Sequence, residues 1–308
     1  MRLAWRMQRW ELAFVTIFGL GLAALSMWQA FDMRSMLTGC GTPSAAPACQ
    51  FVYPFQESNP NVVLLMQVMG LAPYLIGLLL GVPIVASEVE HRTALVSWPL
   101  AGSRIRWLAW RLVTPLAVGL LVLVALAAAA DVMWQAYLPK SDLGFLDHGS
   151  RGVPLVMRGL LAILLGVVTG ALVGRLLPAL LLGIGLCVVL SVGLGLALEH
   201  WAPSQVMTKA EGPEGLGNPI TTDIQYRMPN GEIIDAQEAD NLASATYEKA
   251  AASGDPEPDP ATLPQPVYYG ISSARHPEVV IRESFALGAA TLALAGLAGL
   301  IVRRRRPE

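Results

Sequence analysis

Six apolar stretches, roughly 11–31, 62–86, 112–135, 154–174, 179–198 and 284–302, constrain this chain more than any other feature. Each supplies the ~20 residues that a helix needs to cross a hydrocarbon core of about 30 Å. A segment in lipid has to satisfy its own backbone hydrogen bonds, so all six are expected to be α-helices. The composition agrees, with 54% hydrophobic and 14% charged residues where soluble domains carry about 25% charged. The expected fold class is an all-α polytopic membrane protein. Residues 1–199 hold helices one to five, 200–283 a separate loop domain, and 284–308 the sixth helix with a basic tail.

Arginine and lysine beside short loops are retained on the cytoplasmic side. Placing the N-terminus inside puts Arg2, Arg6, Arg9, Arg92, Arg104, Arg106, Arg111, Arg175 and the Arg303 to Arg306 run inside. Both termini are then cytoplasmic, and 32–61, 136–153 and 199–283 lie outside. The first span is too long for a signal-peptide core and lacks a small-residue cleavage site, so it is expected to stay as a membrane helix. Ahead of it, MRLAWRMQRW reads either as a short helix in the inner interface or as a frayed basic tail.

Cys40 and Cys49 fall in the first outer loop, where an oxidising environment lets a pair close. A bridge over a loop of about ten residues would contribute about 2.5–3 kcal/mol; the alternative is two free thiols. Cys187, inside an apolar span, is expected only to pack.

The 200–283 segment changes character, with 13 acidic residues against five basic ones and a proline-rich GDPEPDPATLPQP stretch. TTDIQYRMPNGEIID predicts two short strands around an Asn230-Gly231 turn, because Asn-Gly tolerates the positive φ such hairpins need. Asp235 with Glu238 then predicts a helix start for AQEADNLASATYEKAAAS. The unit is expected to be a small α+β domain with a solvated acidic surface. No D-x-[DN]-x-[DN]-G loop offers a calcium site.

Catalytic motifs are missing. A P-loop needs Gly-x-x-x-x-Gly-Lys-[Ser/Thr], and none of Lys140, Lys209 and Lys249 follows such glycines. His91, His148, His200 and His276 are scattered, outside any H-E-x-x-H pattern. The chain is therefore expected to be no enzyme, to hold no metal or cofactor, and to bind no nucleic acid. Asp131 near the end of the third span and Arg158 near the start of the fourth should lie at similar depth, either as an intramembrane pair or as two residues snorkelling to the headgroups. Gly77 and Gly81, and Gly166, Gly170 and Gly174, are spaced to mark helix contacts.

Between the second and third spans runs a charged hinge, 87–108. Ser87 and Glu90 form a Ser-x-x-Glu start, and Glu88 and Glu90 suit a first helical turn, predicting a short helix over 88–97. Pro99 and Gly102 should end it, and Ser103 should cap a second helix carrying Arg104, Arg106 and Arg111. The simpler alternative is a connector that only sets topology.

The hinge is similar to that of permease subunits of ABC-2 type transporters, in which G-[AV]-P-x-x-A-x-E-x-E-x-x-T is followed by R-x-R-W-L. Here these are Gly81, Val82, Pro83, Ala86, Glu88, Glu90 and Thr93, then Arg104, Arg106, Trp107 and Leu108. The likeness extends in pattern to the six spans, the long loop before the last span and the GRLLPALLL turn around Arg175 and Pro178. The resemblance implies a coupling helix at about 88–97, with Glu88, Glu90, Arg92, Thr93, Arg104 and Arg106 meeting a separately encoded ATP-binding subunit. ATP and Mg would bind there. It also implies a second permease protomer, identical or not, in a bacterial inner membrane, surrounded by lipid. One departure stands out: many members have glycine where this chain has Arg92.

The expected function is thus the permease of an ATP-driven transporter, an exporter of a drug-like, lipid or other amphipathic substrate. The competing reading is a membrane sensor or assembly factor whose outer domain binds a ligand or a protein.

Overall fold

The computed structural model describes residues 2–38, 60–93, 103–137, 143–201, 206–207, 220–253, 259 and 262–305. Cys40, Cys49 and the 94–97 end of the expected hinge helix lie outside them. Helices α1 (Arg2–Thr38), α2 (Pro60–Glu90), α3 (Arg104–Tyr137), α4 (Gly152–Val173) and α5 (Leu176–Trp201) come first. Strands β1 (Val206–Met207), β2 (Ile220–Arg227) and β3 (Ile233–Ile234), helix α6 (Ala236–Ser253), strand β4 (Gln265–Ile271) and helix α7 (His276–Arg304) follow. Six of these helices, all but α6, contain stretches long and apolar enough to cross a membrane.

The chain divides into two compact units, one of 1–139, 147–191 and 278–308, the other of 140–146 and 192–277. At the centre of the first, α2 packs along α4. In their apolar windows 72% and 67% of residues are buried, against 17% for α5 and for α7. Lipid tails are as apolar as leucine, so helices in a membrane gain by close packing of small residues. A Cβ on Gly77 would sit 2.7 Å from the Gly159 carbonyl oxygen, and one on Gly170 would sit 2.6 Å from the Val82 carbonyl oxygen. At Gly81 it would run into the Ile163 carbonyl. The expected contact glycines are therefore where backbones touch, with one exception. Gly174, at φ 70°, ends α4 with its N–H on the Gly170 carbonyl, so that only Gly174 and Arg175 separate α4 from α5.

In the second unit, four antiparallel strands are ordered β1-β4-β2-β3. The hairpin forms around Asn230-Gly231, with Gly231 at φ 87° and Tyr226 opposite Ile234. Helix α6 starts after Asp235, whose carboxylate accepts from the Glu238 N–H at 2.8 Å. Ile234, Ala239, Val267 and Ile271 are buried there.

Candidate functional site

The charged residues of the first unit gather at both ends of its helices. At the end formed by the C-termini of α2, α4 and α7 and the N-termini of α3 and α5, the hinge departs from its predicted form. Helix α2 does not stop for a new start at Ser87. It runs on to Glu90, and the Ser87 hydroxyl bonds back to the Pro83 carbonyl instead of capping. The apolar turns before Ser87 already satisfy its backbone, so no helix has to begin there. Arg92, at φ 56°, ends the helix, and α3 starts directly after Ser103, whose carbonyl accepts from the Trp107 N–H at 3.0 Å.

Several hinge charges are consequently internal. Glu88 is 3% exposed and pairs with Arg111 of α3, itself 7% exposed. The other carboxylate oxygen of Glu88 accepts from the Thr93 hydroxyl at 2.9 Å. The Arg111 guanidinium lies 5.7 Å over the Trp107 ring and also feels the charge of Glu11 on α1. A buried pair of this kind is costly to form but far costlier to halve, so it fixes where α2 and α3 meet.

The neighbouring charges close helix termini. Glu90 accepts from the Leu176 N–H at 2.8 Å, supplying the first turn of α5 with an acceptor and a favourable charge. Arg104 donates to the Arg303 and Arg305 carbonyls at 3.1 and 2.6 Å, and Arg305 donates to the Ala171 carbonyl, so cations satisfy the ends of α7 and α4. Arg106 is exposed. Of the six residues expected to form a docking surface, Glu88 is buried, Thr93 is tied to it, Glu90 and Arg104 hold helix ends, Arg92 lines an open cleft beside Val173 and Arg175, and Arg106 is exposed.

At the opposite end the expected Asp131 and Arg158 pair is not formed. Arg158 donates through Nε and Nη2 to one oxygen of Glu283 on α7, at 3.0 and 2.7 Å. His148 Nε2 lies 2.5 Å from the other oxygen. All three side chains are buried, at 10%, 8% and 5% exposure. Asp131 faces Arg151 instead, at 3.9 Å. A fork of guanidinium N–H groups fills one carboxylate at a time, and Glu283 reaches Arg158 first. The turn before α4 makes room for this: Asp147 and Gly149 have φ of 51° and 99°, and a Cβ on Gly149 would collide with the Arg158 guanidinium.

Burial pushes the Asp147 carboxyl above the usual carboxylate range, with the Ser150 hydroxyl and Arg151 opposing it. Sequence reasoning missed Glu283 and His148. The available signal was an acid in Arg282-Glu283-Ser284, at the edge of an apolar run whose helix begins at His276, well before the expected start.

Chemically, these ends hold, cap and orient helices. Among the described residues no group of three His, Cys, Asp or Glu side chains converges as a metal site would. Cys187 packs in an apolar cluster with Tyr74, Leu78 and Val82. A model of the family described as ABC-2 membrane transporter related matches residues 14–199. No curated protein and no solved structure matches the chain.

Proposed function

The chain belongs to the ABC-2 membrane transporter related family, and on that premise we propose that it is a permease subunit driven by a separately encoded ATP-binding subunit. The observation that carries this reading is the clamped helix end: Glu88 with Arg111, Glu90 on α5, and Arg104 and Arg305 on α7 and α4. A push on the connector after α2 is then passed to five helices at once, as conversion of ATP-driven closure into a rearrangement of spans requires. This end faces the cytoplasm in our reading, since it holds Arg92, Arg104, Arg106, Arg111, Arg175, Arg303, Arg304 and Arg305. The acidic domain then lies outside.

The large apolar faces of α5 and α7 fit a second protomer or lipid, and transport by alternating access between two protomers, outward, completes the proposal. Its cargo is drug-like, lipid or otherwise amphipathic. The test is ATP turnover: the purified chain, reconstituted with the ATP-binding subunit, should raise that subunit's hydrolysis at least several-fold. No stimulation would favour the sensor or assembly-factor reading.

A further inference from the structure

We propose that the cleft between the ends of α2, α4 and α7 binds the phosphate of an anionic phospholipid headgroup. The cleft encloses about 440 Å³ and is walled by Val89 and Val173, with Glu90, Arg92, Arg175 and Arg305 around it. Its charge is unbalanced. The single carboxylate, Glu90, is committed to the Leu176 N–H at 2.8 Å, and Arg305 spends one N–H on the Ala171 carbonyl. Arg92 and Arg175 have no carboxylate within 4 Å among the described residues. Three guanidiniums from three separate segments of chain therefore converge on one space with a single carboxylate among the described residues, an excess of positive charge that repels itself unless an anion is shared. Guanidinium forks match phosphate oxygens in geometry as well as charge.

The backbone gives independent support. Arg92 sits at φ 56°, held by its N–H on the Val89 carbonyl at 3.1 Å. An arginine is strained there and glycine is not. Strain of this kind persists where the side chain is needed, and the side chain it delivers lines the cleft. The depth selects the ligand. Each of the three helices ends its apolar run at this cleft, so the opening lies at the level of lipid phosphates, where basic residues take anionic headgroups.

The experiment is thermal unfolding of the purified full-length chain in detergent, with phosphatidylglycerol, phosphatidylcholine of the same acyl chains, or inorganic phosphate added. Phosphatidylglycerol should raise the midpoint by about 3 °C or more, and the other two should not. Arg92→Gly should raise the lipid-free midpoint, by removing the strain, while cutting the phosphatidylglycerol shift at least by half. Arg175→Gln should cut the shift without the gain. Equal shifts from the two lipids, or a full shift in both variants, would overturn the proposal. A shift from inorganic phosphate alone would replace the lipid by a soluble anion. If Arg92→Gly sheds the ATP-binding subunit but keeps the lipid shift, the cleft belongs to a protein partner and the lipid assignment fails.

Discussion

Each end of the first unit's helices buries one carboxylate against one arginine, yet the two pairs differ in what surrounds them. Glu88 and Arg111 are 23 residues apart, on consecutive helices, and Arg111 has a second carboxylate nearby in Glu11. Arg158 and Glu283 are 125 residues apart and tie α7 to the centre of the bundle. There Glu283 serves both Arg158 and His148, and no other carboxylate lies within 4 Å of Arg158 among the described residues. One end has a spare acid and the other a shared one. A buried charge is tolerated in proportion to the partners left when one is removed, so the shared site should be the more brittle.

Matched substitutions would break that contrast first. Glu283→Gln leaves Arg158 buried without a counter-charge and should lower unfolding stability in detergent by about 3–5 kcal/mol. Glu88→Gln should cost less, about 1–3 kcal/mol, because the charge of Glu11 on α1 still acts on Arg111. Arg158→Met combined with Glu283→Gln should be milder than the sum of the two single changes. Additive losses, or Glu88→Gln proving the worse variant, would remove the distinction between the ends.

A smaller effect sharpens it. Asp147, in the turn that presents His148, is an acid whose folded form holds its proton to higher pH than the unfolded chain does. The folded state then binds more protons across that window, so this group's contribution to stability falls as pH rises through it. Asn tolerates φ 51° as Asp does and carries no charge. Asp147→Asn should therefore raise the unfolding midpoint slightly at pH 7, since solvent screens this exposed residue, and the gain should fade as pH falls through the usual carboxylate range. A gain independent of pH would mean that burial of the Asp147 charge is not what the variant relieves.

The two ends also differ in how far they could be read from sequence. Span number follows from apolar length alone, and the Asn230-Gly231 hairpin and the Asp235 cap follow from chemistry within a few residues. The hinge drew notice because its charges stand between two apolar runs. That same contrast made Glu88 look exposed, whereas a continuous α2 carries it into contact with Arg111. Arg104 and Arg305 looked like topology signals, and their bonds to helix-end carbonyls depend on which helices happen to finish side by side. At the other end, Asp131 and Arg158 matched in depth, which is all that span boundaries can give. Glu283 is hidden in the sequence because the last apolar run begins at 284, one residue beyond it.

The central claim is that the clamped Glu88 end is where the ATP-binding subunit engages. It is tested most directly by how much of that subunit stays on the tagged chain when one exposed arginine at either end is reversed in charge. Arg106 is exposed at the Glu88 end, and Arg282 is 64% exposed at the other, where it pairs along its own helix with Glu278. With recovery normalised to chain extracted from the membrane, Arg106→Glu should retain about a tenth or less of the subunit held by the unaltered chain, since like charges at a docked contact are costly. Arg282→Glu should retain all of it. Equal retention by the two variants, or loss only with Arg282→Glu, would contradict the account.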